Sequence, residues 1–425
     1  MPRWNAERWR PLFLTIWGGQ ALSLFGSRLV QFGLIWWVTR STDSATVLAL
    51  AGLMAYVPTV FLGPFAGVLI DRWNRRRVLI LADGSIAVAT AVLALLFTLG
   101  RASVPSVYGV LFVRAVGSAF HWPAMQAATT RMVPPQHLSR VAGLNQSLRG
   151  LAMVLSPPLG AVLLELLHVQ GVLAIDVITA VLAVIPLLWI RIPEASDRGE
   201  GVGASSILGG LAEEFRFAVR WRGVILLIGA LALMNFVVNP AFVLLPLYVT
   251  RVLGGGALQL GSLQGIFGIG FVLGGVLLAV WGGFQRRIVT ALLAVAVMGV
   301  GIVGMGVAPH GWVILVGGAL FVVGLMEPIA NGSIVATLQA SIPEGMQGRA
   351  FALLGSATQA VVPLGLALSG PLSDRYGIQL WFVIGGIAYL FVGFGSLFSR
   401  SILRIEADGE RLKAEANRTV SGAPG

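Results

Sequence analysis

Apolar residues fill this chain in stretches of about 20, broken by short polar segments, from one end to the other. A helix rises 1.5 Å per residue, so about 20 apolar residues match the ~30 Å hydrocarbon layer of a bilayer. Twelve such helices are expected, near residues 11–38, 45–70, 78–99, 105–129, 140–166 and 172–190, then near 223–249, 257–281, 288–308, 312–337, 350–372 and 380–399. The long polar stretch 191–222 contains Pro193 and several charges. It reads as a linker with an amphipathic helix, Ile207 to Val219, carrying Glu213 and Glu214 on its polar side. The pattern predicts an all-α polytopic membrane protein: a six-helix bundle over 1–190, the linker over 191–222, a second six-helix bundle over 223–399 and a charged tail over 400–425.

Composition agrees. Only 11% of the 425 residues are charged and 56% are hydrophobic, whereas a soluble domain carries about 25% charged residues. There is no cysteine, which excludes disulfides, thiol catalysis and thiolate-bound metal. The net charge of +11 raises nucleic acid as a partner, but the basic residues have a simpler distribution. Most lie in the N-terminal segment, in the segments after even-numbered spans and in the tail. The segments after odd-numbered spans hold just Arg40, Arg101, Arg251 and Arg375. The positive-inside rule then places both termini in the cytoplasm, in a protein of the cell's inner membrane. No basic, aromatic-rich soluble domain supports nucleic-acid binding. The sequences H-E-x-x-H, G-x-S-x-G and G-x-x-x-x-G-K-[ST] are all missing, which argues against an enzyme and against self-contained use of ATP. No cofactor or metal is expected.

The two halves repeat one another. Arg8-Trp9-Arg10 recurs as Arg220-Trp221-Arg222, Val38-Thr39-Arg40 as Val249-Thr250-Arg251, and Pro158-Leu159-Gly160 as Pro363-Leu364-Gly365. Their common order and near-constant offset indicate a parallel duplication of six spans.

Against this apolar background, the polar residues inside the spans are informative. An ionised side chain at the bilayer centre costs about 2.5–3.5 kcal/mol on insertion scales, and persists where it pairs or lines a hydrated path. Arg114, Ser118 and His121 share one stripe of span 4; Gln20, Ser27 and Gln31 share one of span 1. Asn235 and Asn239 do so on span 7, and Glu327 and Asn331 on span 10. Glu327 is the one carboxylate near the middle of a second-half span. It is therefore the leading candidate to carry a proton, with an ion pair to Arg28 or Arg114 as the structural alternative. His121 titrates near neutrality when unperturbed and is a second proton-coupling candidate, or an interhelical hydrogen-bonding group. Asp176 is a third, or a packing and capping residue. Gln20, Gln31, Arg114, Asn235, Asn239 and Asn331 are candidate solute-binding residues. Asp83 and Arg149 lie within a few turns of the cytoplasmic surface, where ion pairs of a gate are as consistent as binding.

Three segments carry a family resemblance. Gly67-Val-Leu-Ile-Asp71-Arg72-Trp-Asn74-Arg75-Arg76-Arg77 resembles the loop 2–3 signature of the major facilitator superfamily, with Asn74 in the usual place of glycine. Asn tolerates left-handed backbone better than most residues, so the turn is expected to survive. Gly150 to Gly160, with Ser156-Pro157-Pro158, partly resembles the span-5 signature of exporting antiporters, with serine in place of one glycine. Phe120-His121-Trp122-Pro123-Ala124, Val133-Pro134, Gly143-Leu144-Asn145-Gln146, Ile175-Asp176 and Gly348-Arg349 resemble the macrolide-efflux-type branch of the drug–proton antiporters.

The resemblance implies two bundles around a central cavity lined by spans 1, 4, 7 and 10, the spans that carry the polar stripes. It implies a conformational gate at Gly67, Asp71, Arg72, Arg75, Arg76 and Arg349, and a bend in span 5 at Ser156, Pro157, Pro158 and Gly160. It further implies export of amphipathic small molecules in exchange for protons, by a monomer embedded in lipid. Three alternatives stay open: a lipid or siderophore exporter, an uncoupled facilitator, and a sensor that kept the fold.

Overall fold

The computed structural model describes residues 9–193, 222–342 and 344–406, and these are almost wholly helical. The order begins α1 (Trp9–Thr42), α2 (Ala45–Arg72), α3 (Arg75–Thr98) and α4 (Val104–Met132). The helical stretch Leu138–Trp189 is broken at His168, where φ is 55° and ψ is −178°. The parts on either side are named α5 (138–167) and α6 (169–189). Then follow α7 (Arg222–Arg251), α8 (Ala257–Trp281), α9 (Arg287–Gly306) and α10 (Val313–Ser341). The last are α11 (Glu344–Ala360), α12 (Val362–Tyr376), α13 (Ile378–Leu397) and the short α14 (Arg400–Leu403).

Among the described residues, nine helices are long and apolar enough to cross a membrane by length and hydropathy alone. Twelve were expected, and the difference has physical causes. Helices α5 and α6 run on as one apolar stretch, Pro135–Trp189. Helix α4 is diluted by Arg114 and His121. The expected span over 350–372 is two helices, α11 and α12, parted at Val361. Pro363 lacks an N–H and its ring crowds the carbonyl four residues earlier, which weakens the helix at the point where it parts.

The chain divides into two compact units, Met1–Val202 with Val243–Gly265, and Gly203–Phe242 with Ile266–Gly425. The expected linker helix 207–219 lies outside the described residues, as does the tail beyond residue 406.

In the first unit, α1 packs along α5 and α6. Gly26 of α1 faces Asp176 and Thr179 so closely that a methyl group there would collide with the Thr179 hydroxyl. Gly160 of α5 sits under the ring of Phe32, where a Cβ would lie 3.1 Å from Cδ1. Small residues at such crossings matter in lipid, where van der Waals contact replaces hydrophobic drive between helices. An apolar cluster including Phe13, Ile16, Ile70, Leu79, Met132 and Leu187 fills one end of this unit. The first turns of α8 belong here too: a Cβ at Gly261 would lie 2.7 Å from the Pro157 carbonyl oxygen, and one at Gly265 2.9 Å from Pro158 Cγ. Arg251 Nε, at the end of α7, pairs with Asp43 Oδ1 at 3.2 Å and its Nη2 donates to the Asp43 carbonyl.

The second unit is held the same way. Gly270 of α8 and Gly324 of α10 each bring the two backbones into contact. Gly299 of α9 packs against Leu390 and Gly386 of α13, and Gly393 against Ala296. Trp381 Nε1 donates to the Val237 carbonyl at 2.8 Å, tying α13 to α7. Ile402 and Ile405, at the chain's described end, are buried against Leu227, Ile288, Ile334 and Leu338.

Asn74 departs from the sequence expectation. Its backbone is extended (φ −66°, ψ 109°), not left-handed. It is the N-cap of α3: its Oδ1 accepts from the Arg77 N–H at 2.9 Å. The side chain is wanted for an orphan donor at the helix start, which glycine leaves unsatisfied.

Candidate functional site: a buried polar network

The first unit holds a chain of buried polar side chains drawn from α1, α3, α4 and α6. Its base is Asp176, fully buried. The Arg114 guanidinium of α4 forms a close ion pair with Asp176 Oδ2. Thr90 of α3 donates to the same oxygen and Ser27 of α1 to Oδ1, each at 3.1 Å. Arg114 also donates from Nη1 to Thr90 Oγ1 at 2.8 Å and from Nη2 to the Ser27 carbonyl at 3.1 Å. Both charges are thus matched and hydrogen-bonded, the condition under which a buried pair is tolerable. The approach of α1 at Gly26 is what lets Ser27 reach the carboxylate.

A second group lies two turns away along α3. Asp83, 4% exposed, accepts from Gln20 Nε2 at 2.8 Å. The Gln20 Oε1 lies 2.6 Å from His121 Nε2, and that nitrogen lies 3.3 Å from Asp83 Oδ1. One residue each from α1, α3 and α4 thus meets in a cluster closed by two hydrogen bonds and one ion-pair contact. Next along α4, the Arg149 guanidinium of α5 stacks on Trp122, 3.6 Å from the ring centroid, a cation–π contact. Trp17 Nε1 donates to Asn145 Oδ1 at 2.7 Å, joining α1 to α5.

These positions differ from several sequence expectations. Arg114, expected to meet solute, has its guanidinium engaged by Asp176, Thr90 and Ser27. Asp176 is central to this unit's polar network. Asp83 and Arg149, for which the sequence left a gate ion pair and binding equally open, meet Gln20 with His121 and the Trp122 indole, respectively. Gln31 is half-buried on α1. Of the gate residues, Gly67 is exposed and lines a cavity of about 440 Å³ with Ile70, Pro123, Gln126, Ala127 and Thr130. Arg75 is half-buried. Arg76 has a definite task within the first unit: its Nε donates to the Leu187 carbonyl and its Nη2 to the Leu188 carbonyl at 2.7 Å. A cation on the last carbonyls of α6 is favoured by the helix dipole. The side chains of Asp71, Arg72 and Arg349 lie outside the described set. In the bend of α5, Ser156 is buried beside Pro157 and Pro158, and Gly160 takes the Phe32 contact.

In the second unit, Glu327 is half-buried and Asn331 exposed on α10. Tyr389 of α13 is within electrostatic range of Glu327. Asn235 Nδ2 donates to the Leu231 carbonyl at 2.9 Å, and Asn239 Nδ2 to Asn235 Oδ1 at 2.9 Å. The two asparagines thus form a polar ladder along α7.

Two helical units with small-residue crossings and ionisable groups inside lipid-length helices define a membrane transporter. The chain belongs to the Major Facilitator Superfamily, whose model matches residues 16–366. It is 33% identical over 386 residues to macrolide efflux protein A of Streptococcus pyogenes, an alignment covering 91% of this chain and 95% of that protein. It is 27% identical to the multidrug efflux pump Tap of Mycolicibacterium fortuitum, over 85% of this chain and 89% of the pump. Among solved structures it resembles a bacterial homologue of the iron transporter ferroportin in its inward-facing state. The TM-score is 0.68 at 16% identity, covering 92% of this chain and 99% of that one; at that identity the likeness concerns the fold.

Proposed function

We propose that this protein exports amphipathic small molecules of the drug class, macrolides among them, across the cytoplasmic membrane in exchange for protons. The observation that carries the reading is the 33% identity, along nearly the whole of both chains, to a macrolide efflux protein. Ionisable residues inside apolar helices support a coupled mechanism, because such residues are costly in lipid and mark ion or solute paths. In this reading Glu327 exchanges a proton, while Gln31, Asn235, Asn239 and Asn331 offer polar contacts to the solute. Gly67, Asp71, Arg72, Arg75, Arg76 and Arg349 belong to the gate, and the protein alternates access as a monomer.

The test is erythromycin transport in inverted membrane vesicles with an imposed pH gradient, acid on the inside. Gradient-driven accumulation that a protonophore abolishes is expected. Glu327→Gln is expected to lose that accumulation while keeping erythromycin exchange across a membrane without a gradient. Accumulation by the wild type that ignores the protonophore defeats proton coupling; undiminished coupled accumulation by Glu327→Gln removes that residue from the mechanism.

A further inference from the structure

The two buried acids of the first unit are held in opposite ways. Asp176 has a permanent counter-charge in Arg114 and two hydroxyl donors. Protonating it would strand a buried guanidinium, so the pair is built as a fixed ion pair. The hydrogen-bond and ion-pair partners of Asp83 are an amide and an imidazole, and the charge of an imidazole is optional. His121 also gives this acid a way out. Its side chain is 23% exposed against 5% for that of Asp83. The ring therefore stands between the buried carboxylate and the surface of the unit. Asp176 of α6 is the next acid within electrostatic range of Asp83, and its charge is balanced by Arg114.

We propose that Asp83, Gln20 and His121 form a proton relay, in which Asp83 holds the proton, His121 delivers it and Gln20 reverses its amide with each loading. This rests on the proton-coupled reading above and adds a carrier in the first unit to Glu327 in the second.

The hydrogen-bond inventory dictates the cycle. With Asp83 ionised, both atoms facing His121 Nε2, Gln20 Oε1 and Asp83 Oδ1, are acceptors, so Nε2 carries a hydrogen. A proton arriving at Nδ1 makes the imidazolium. The Nε2 hydrogen then passes to the Asp83 carboxylate, leaving a neutral ring protonated at Nδ1. One proton has entered and one acid has been neutralised. The new carboxylic acid needs an acceptor, and the bare Nε2 needs a donor. A half-turn of the Gln20 amide, together with a half-turn of the carboxyl group that brings the newly protonated oxygen to face Gln20, supplies both: Oε1 accepts from the Asp83 hydroxyl and the amide N–H donates to Nε2. Loaded and empty states each satisfy all three side chains, and they differ in the direction of the bonds that Gln20 makes to Asp83 and to His121. An apolar or fixed-charge partner at position 20 or 121 has no such second state.

The decisive experiment uses the full-length protein reconstituted in liposomes. Erythromycin transport is measured with and without a pH gradient, and erythromycin-induced proton release is followed with a pH indicator in weakly buffered detergent solution. Asp83→Asn is expected to abolish gradient-driven transport and to release fewer protons per erythromycin bound, while gradient-free exchange persists. Asp83→Glu is expected to restore coupling with a displaced pH profile, which a purely structural role would not produce. Gln20→Leu is expected to slow coupled transport by a larger factor than exchange. Should Asp83→Asn fail to assemble, His121→Gln at the partly exposed position carries the same readouts. Unchanged proton release and coupled transport in Asp83→Asn, or in His121→Gln where that variant is needed, overturns the relay. Wild-type transport indifferent to the gradient overturns the coupling reading instead, and the two failures are distinguishable.

Discussion

At the scale of single residues, Arg114 and Asp176 show how a lipid-buried charge is made tolerable. Each is matched by the other, and the remaining donors and acceptors go to Thr90, Ser27 and the Ser27 carbonyl. Removing one member leaves the other charge uncompensated, a change that costs about 3–5 kcal/mol where it has been measured for buried pairs. Asp176→Ala is therefore expected to lower the thermal unfolding midpoint in detergent sharply. The double variant Asp176→Ala with Arg114→Leu is expected to recover part of that loss. A double variant no better than the single one means that the stability lies in packing and not in charge matching. Arg114 was legible in the sequence as an ionisable residue inside a span. Its partner was not, because Asp176 lies 62 residues away and on another helix.

At the scale of helices, caps and crossings set the local geometry. Asn74 starts α3 by accepting from the Arg77 N–H. Replacing such a cap by alanine costs about 1 kcal/mol, and by glycine only a few tenths. Asn74→Ala is thus expected to lower stability measurably and Asn74→Gly very little, in thermal unfolding of the purified protein. A clear gain from Asn74→Gly, as a left-handed turn would give, contradicts the cap. The contact of Gly26 with Asp176 and Thr179 leaves no room for a side chain. Overpacking of this kind costs about 1–3 kcal/mol, and Gly26→Val is expected to loosen the Ser27–Asp176 bond as well. Helix positions were readable because hydropathy and the duplicated triplets are local patterns. The break at Val361 was half-readable, since Pro363 announces a defect while leaving open whether it bends or severs the helix. The task of Arg76 on the α6 carbonyls had no sequence signal, because any carbonyl is a possible acceptor.

At the scale of the whole molecule, the distribution of basic residues predicts both termini on the cytoplasmic side. A fluorescent protein fused to the C-terminus is expected to fluoresce, and alkaline phosphatase at the same position to be inactive; active phosphatase there reverses the topology.

The amino-acid sequence by itself determined a helical membrane protein of two related halves. It also pointed to the superfamily and to the set of polar residues that must be accounted for inside lipid. These follow from hydropathy summed along the chain and from motifs a few residues long, which need no knowledge of neighbouring helices. Tertiary structure alone decided that Arg114 serves Asp176, that Asp83 meets Gln20 and His121, and that Arg149 lies on Trp122. The reason is geometric: a polar group's partner depends on how each helix is rotated and where it crosses its neighbours. Those angles are set by small residues such as Gly26 and Gly160 packing against side chains far away in the chain.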